Sequence, residues 1–171
     1  LAMDRISKDF IAKMNARGIE FGVTRLGINT GRAIVGNFGG SGRFDYTAHG
    51  DSINTAARME GVNKHLGTQI CISGTTVAKC PNHFFRPIGA LILKGKTEAI
   101  EAFEPMTEEE SKSPLTKRYL EAFELLTRAD PKVEELFTSL RADYPDDALI
   151  KLHYDRITSG ILSSTIVLAE K

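Results

Sequence analysis

Cysteine is scarce in this chain of 171 residues: only Cys71 and Cys80 occur. They are not spaced as a metal-binding pair, and two cysteines make no disulfide framework, so they read as reduced thiols in a cytoplasmic setting. Charge of one sign is also lacking, because Lys+Arg and Asp+Glu both number 22. No global field draws the chain to nucleic acid or to an anionic membrane, and any polyanion site has to be local. No apolar run approaches the roughly 20 residues that cross a bilayer. No signal peptide and no low-complexity tract are visible. The text opens on Leu1 inside a helical pattern, which leads us to expect a piece of a longer protein.

What is present suffices for one domain of ordinary size and an appendage, with 42% hydrophobic residues. Ile6, Phe10, Ile11 and Met14 fall at helical spacing within 4–17, and Gly18 stops that helix. Two β-rich runs, 21–29 and 33–38, flank a Thr30-Gly31 turn. The glycine-rich 39–42 then leads into 44–47 as a hairpin. A helix is expected over 52–65, a strand over 68–73, a brief helix over 73–79, and a last hairpin from 84–93 and 99–103 around Lys94-Gly95-Lys96. Helices mixed with hairpins predict an α+β fold with helices packed on one sheet.

The character changes after Pro105. Residues 107–113 (TEEESKS) read as a charged linker. Ser113-Pro114 and Asp130-Pro131 each read as an N-cap followed by proline at the first helical position. Apolar stripes follow at Leu115, Tyr119, Phe123 and Leu126, and at Val133, Leu136, Phe137 and Leu140. A third helix is expected over 147–157, and TIVL at 165–168 could add a strand. The domain division is therefore 1–105, a linker at 106–113, and a helical extension at 114–171.

Chemistry has few candidates. The glycines of 39–42 lack the Gly-Lys-Ser/Thr ending of a phosphate loop, and a hairpin follows them where that loop needs a helix. Histidines 49, 65, 83 and 153 show no paired ligand spacing, and no Ser/His/Asp or Cys/His set can be argued. Residues 43–58, RFDYTAHGDSINTAAR, are more informative. They read as a strand, a turn at Gly50-Asp51 with Asp51 as N-cap, and a helix carrying Asn54 and Arg58 four residues apart. Side chains at that spacing lie one above the other, and an amide with a guanidinium near a helix N-terminus suits a nucleotide's sugar and phosphate. Ile53, Ala56, Ala57 and Glu60 cluster on one side, whose apolar members are expected to face the core, with Asn54 and Arg58 on its flank. Arg25 in a strand is unusual; Lys94 and Lys96 alone would be a solvated turn.

In full, residues 25–60, RLGINTGRAIVGNFGGSGRFDYTAHGDSINTAARME, together with GTQICIS at 67–73 and ALILKGKTEAIEAFEP at 90–105, resemble the second half of a class III adenylate/guanylate cyclase catalytic domain. The resemblance implies a ferredoxin-like cyclase sheet with helices on one face, second half only, and a bacterial adenylate cyclase-like activity. By the same resemblance Asn54 orients the ribose and Arg58 stabilises the α-phosphate, while Arg25 and Lys94 contact the terminal phosphates and Thr47 helps select the purine, with ATP favoured over GTP. It further implies a homodimer or a complementing cyclase half, and Mg²⁺ or Mn²⁺ held by aspartates that have no counterpart in these residues, so that this piece alone would be inactive. A guanylate cyclase, and a degenerate module for dimerisation or nucleotide sensing, remain open alternatives. The extension is either an interaction element or a part of the domain itself.

Overall fold

The computed structural model describes residues 2–40 and 42–168. Ser41, inside the glycine-rich connection, and residues 169–171 of the extension lie outside the described residues, as does Leu1. Helix α1 (Ala2–Asn15) leads to a short strand β1 (Leu26–Ile28), the hairpin β2 (Ile34–Gly40) and β3 (Arg43–His49), and then helix α2 (Asp51–Leu66). Strand β4 (Ile70–Ser73), helix α3 (Gly74–Val77), and strands β5 (Phe84–Ile92) and β6 (Ile100–Met106) follow. Helices α4 (Glu108–Lys112), α5 (Pro114–Thr127), α6 (Val133–Asp143) and α7 (Ala148–Thr158) precede strand β7 (Thr165–Val167).

Five strands form a mixed sheet in the order β1-β4-β6-β5-β7, whereas β2 and β3 pair only with each other. The outer pairs, β1 with β4 and β5 with β7, are parallel; the inner pairs are antiparallel. The α+β expectation holds. Of the β-rich run at 21–29, only Leu26–Ile28 forms a strand, which leaves Arg25 immediately before its first residue.

Helix α2 is held to β1 by an amide and a glycine. Buried Asn63 donates from Nδ2 to the Leu26 carbonyl at 3.0 Å and accepts at Oδ1 from the Thr68 hydroxyl at 2.7 Å. Gly27 lies against the helix so closely that a Cβ there would sit 2.1 Å from the Ala56 carbonyl oxygen. Only glycine permits that approach. Helix α2 ends at Gly67, whose φ of 74° is left-handed and whose N–H caps the Asn63 carbonyl. The buried residues of α2 are Thr55, Met59, Val62, Asn63 and Leu66. The core face is therefore rotated from the one expected, and Ile53 is 41% exposed. Two of those five buried residues are polar, which is why apolar periodicity pointed to the wrong stripe.

Two further expectations need correction. The linker 107–113 contains helix α4, started by a reciprocal capping box in which the Thr107 side chain accepts from the Glu110 N–H and the Glu110 carboxylate accepts from the Thr107 N–H. At Asp130-Pro131 the helix begins later, at Val133, because the Asp130 carboxylate accepts from the Lys132 N–H at 2.9 Å and closes a turn ahead of it. Ser113 and Asp147 do cap α5 and α7 through the N–H groups of Thr116 and Ile150.

The extension is not an appendage. Tyr119, Phe137, Leu149 and Ile150 share one apolar core with Ile88 and Leu91 of β5 and with Met59 and Leu66 of α2. Arg86 of β5, almost buried, bridges Glu104 of β6 and Asp147 at the start of α7, both at 2.7 Å. Burial works against its charge, but Glu104 and Asp147 outweigh it and raise its pKa above the ordinary guanidinium value.

Candidate active site

Gly50 occupies the N-cap of α2 with φ 152°, so Asp51 is the first helical residue and not the cap expected. Released from capping, the Asp51 carboxylate pairs with the ammonium of Lys96, in the turn between β5 and β6. Two helical turns further along α2, the Arg58 guanidinium donates through Nη1 to the Lys94 carbonyl of that same turn. Gly95 has φ 68°, and a Cβ built there would lie 3.6 Å from Arg58 Nη1. The turn is thus fastened to α2 at positions 51 and 58.

Asn54 lies between these two anchor points, three residues after Asp51 and four before Arg58, on the same face of the helix. Asn54, Arg58 and Lys94 are all exposed. The bond to Lys94 takes one of the five guanidinium N–H donors and restrains the long side chain, leaving a planar cation at the surface. Arg58 and the Lys94 carbonyl, with Lys96 paired to Asp51, bring three basic residues to this turn. A recess of about 380 Å³ opens beside the first turn of α2, where Asn29, Thr55, Thr75 and Lys96 are among its lining residues.

Thr47 stands exposed on β3, opposite Gly36 of β2 and three residues before Gly50. Its glycine partner leaves the hydroxyl without a facing side chain. Arg25 stands immediately before β1. Strand β1 runs against α2 so that the Leu26 carbonyl meets Asn63, while Asn29 Nδ2 donates to the Ser52 carbonyl near the other end of the helix. At 1.5 Å per residue, the level of Asn63 is about 14 Å along the helix axis from Asn54 and about 8 Å from Arg58. Half-buried Arg25 directly precedes Leu26, at the Asn63 end of α2.

A sequence model of the adenylate and guanylate cyclase catalytic domain matches residues 1–104. The chain belongs to that family. It is 41% identical over 105 residues to adenylate cyclase 1 of Rhizobium meliloti, a match covering 61% of this chain and 16% of that protein. It is 33% identical over 107 residues to an adenylate cyclase of Anabaena cylindrica, covering 60% of this chain and 21% of that protein. Among solved structures it resembles the adenylyl cyclase CyaB from P. aeruginosa, with a TM-score of 0.55 and 30% identity over 63% of this chain and 55% of that one. The chain thus spans only a fraction of the two curated relatives. Members of the cyclase family use divalent metals and dimerise, and they bind ATP in general.

The residues present do not fit a metal by themselves. Among the described residues, no group of three or more His, Cys, Asp or Glu side chains could hold an ion. No described helix is long and apolar enough to cross a membrane. One connection at this site leaves no signal in the sequence. Lys96 and Asp51 read as a turn residue and a cap, and only their 45-residue separation closing in space shows them as a pair.

Proposed function

We propose that this chain supplies part of an adenylyl cyclase active site that converts ATP to cyclic AMP and pyrophosphate. The observation that carries the reading is the Arg58 guanidinium held on the Lys94 carbonyl one helical turn from Asn54, within a chain of the cyclase family. As the 3′-oxygen attacks the α-phosphorus, the bond to the β-phosphate bridging oxygen breaks and negative charge builds on the α-phosphate and on the leaving pyrophosphate. A guanidinium that cannot lose its proton and donates along two edges stabilises that charge without reorganising. Asn54 positions the ribose through its amide, Lys94 holds the terminal phosphates, and Thr47 offers a hydroxyl that both donates and accepts to the edge of the adenine.

Arg25 contributes to the terminal phosphates, and its place at the Asn63 end of α2 suits a site shared across a dimer. The exposed apolar side chains of the β2–β3 hairpin, Ile34, Val35, Phe44 and Tyr46, support association with a second copy or a complementing cyclase half. The described residues offer no carboxylate cluster that fits a metal. Carboxylates from outside these residues would hold the Mg²⁺ or Mn²⁺ that neutralises the triphosphate, so the chain alone is read as inactive.

The test is Arg58→Ala in the protein complemented with a metal-binding cyclase half, assayed with ATP and with GTP. We expect kcat with ATP to fall by about 10²-fold or more while KM changes less than about threefold. Equal losses in both would remove the transition-state role, and a faster wild-type rate with GTP would reverse the substrate.

A further inference from the structure

The two chain segments that touch in the candidate site differ in how they are held. Helix α2 is bolted to β1 through Asn63 and Gly27. The turn carrying Lys94 hangs between the ends of β5 and β6, and its β5 end is gripped by the C-terminal extension. Strand β7 pairs in parallel with Ala90–Ile92, with Leu91 opposite Ile166. The Ala90 N–H donates to the Ser164 carbonyl, and the Leu168 N–H donates to the Ile92 carbonyl, both at 3.1 Å. Only buried Leu93 separates Ile92 from Lys94. Farther back, a register shift between Pro87 and Gly89 interrupts the pairing of β5 with β6. Here the Tyr119 hydroxyl donates to the Pro87 carbonyl at 2.8 Å, and the His153 ring bonds the Ile88 carbonyl at 3.1 Å. Side chains of α5 and α7 thus meet the carbonyls of the irregular stretch, and β7 completes the sheet beside the stretch leading to the site.

We infer that the extension is a brace for the active-site turn, in which β7, through Ile166 and the Leu168 backbone, positions the Lys94 carbonyl that holds Arg58. A strand paired along only one edge flexes out of plane more readily than one paired along both, and β5 would be such an edge strand without β7. Motion at Ile92 passes through two peptide units to the Lys94 carbonyl, and so to the guanidinium that bonds it. Leu168 and Ile166 are positioning residues, because they act on the site only through β5. The functional consequence rests on the cyclase reading above; the mechanical coupling does not.

The test measures amide hydrogen exchange in the full chain at Lys96, whose N–H closes the turn onto the Leu93 carbonyl at 2.9 Å. Leu168→Pro removes the donor to Ile92, and Leu168→Ala keeps it while losing side-chain packing. We expect Leu168→Pro to speed exchange at Lys96 by roughly tenfold and Leu168→Ala by less than about threefold, with Asn63 in α2 unchanged. In the complemented cyclase the proline variant should lower kcat by a similar factor with KM for ATP unmoved. Ile166→Ala, a milder loosening, replaces the proline variant should that one fail to fold, and must raise exchange at Lys96 more than at Asn63. Unchanged exchange at Lys96, or an equal rise at Asn63, overturns the brace. Faster exchange with unchanged kcat overturns the positioning role. A wild type without cyclase activity would defeat the cyclase reading and leave the exchange result to decide the brace.

Discussion

Strand β5 and the β2–β3 hairpin are both β-structure from the same chain, and they are held in opposite ways. Strand β5 is paired on both sides, by β6 and β7, and backed by helices whose side chains bond its carbonyls. The hairpin pairs only with itself and has no buried residue in either strand, with Phe44 68% and Tyr46 76% exposed. Helix α1 likewise buries nothing. One half of the molecule therefore has its own core, and the other presents apolar surface that an isolated monomer would not be expected to keep. Helix α2 joins the two, leaving the hairpin at Gly50 and burying Met59 and Leu66 in the core. Asn54 and Arg58 sit on its exposed side, so the proposed chemistry stands on a rigid support and faces outward, as a site shared with a partner requires.

The contrast is broken most forcefully from the packed side. Phe137 lies in α6, remote in sequence from the cyclase match, yet it is fully buried and meets Tyr119 edge-on with ring centroids 6.1 Å apart. If the extension shares one core with the sheet, Phe137→Ala should cost about 3–5 kcal/mol of unfolding free energy, in a single urea transition that melts sheet and extension together. Two separate transitions, with the sheet's midpoint unmoved, would show the extension to be an independent appendage.

His153 gives a second, smaller test of the same side. It is enclosed by Tyr119, Phe123 and Phe137, and its Nε2–H donates to the Ile88 carbonyl, which leaves Nδ1 buried without a partner among the described residues. Burial, reinforced by the nearby Arg156 charge and only partly opposed by the bond to Ile88, lowers its pKa from 6.5 to about 3. Arg86 lowers it as well, and Asp147 acts in the opposite sense. The unfolded chain binds the proton more readily, so stability falls as pH drops below about 6.5 and the loss continues toward 3. At pH 5 the loss is on the order of 2 kcal/mol. His153→Gln keeps a donor for Ile88 but does not titrate, and it should flatten this part of the stability profile between pH 7 and 5. An unchanged slope would assign the acid sensitivity to other groups.

Much of the packed side was legible because its elements carry local signals. Ser113 announces its helix through its cap, and Val133, Phe137 and Leu140 theirs through their spacing. The apolar stripes did not reveal their target, since the pairing of Leu91 with Ile166 joins residues far apart in sequence. Carbonyl acceptors such as Pro87 and Ile88 leave no trace in side-chain identity. The same limit applies to the candidate site. The spacing of Asn54 and Arg58 also fits an ordinary helix surface, and it was the resemblance that made them and Lys94 candidates, but the bond from Arg58 reaches a backbone oxygen that any residue at 94 would supply. Thr55 and Asn63 misled the reading of α2 because buried polar residues follow hydrogen-bonding opportunity, and apolar periodicity cannot see it.

The smallest expected effect comes from the hairpin. Phe44 and Tyr46 alternate on one face of β3, with Asp45 and Thr47 on the other. A ring that is 68% exposed has little burial to lose. Phe44→Ser should therefore change unfolding free energy by no more than about 0.5 kcal/mol, while weakening any self-association seen by sedimentation at rising concentration. Thr47, pointing the other way, should keep its surroundings, and Arg58 its bond to Lys94. A loss above about 2 kcal/mol on this substitution would mean that Phe44 is buried in the monomer, and the division into a packed and an open half would fail with it. Unchanged stability with unchanged association would keep the division but remove Phe44 from the surface a partner covers.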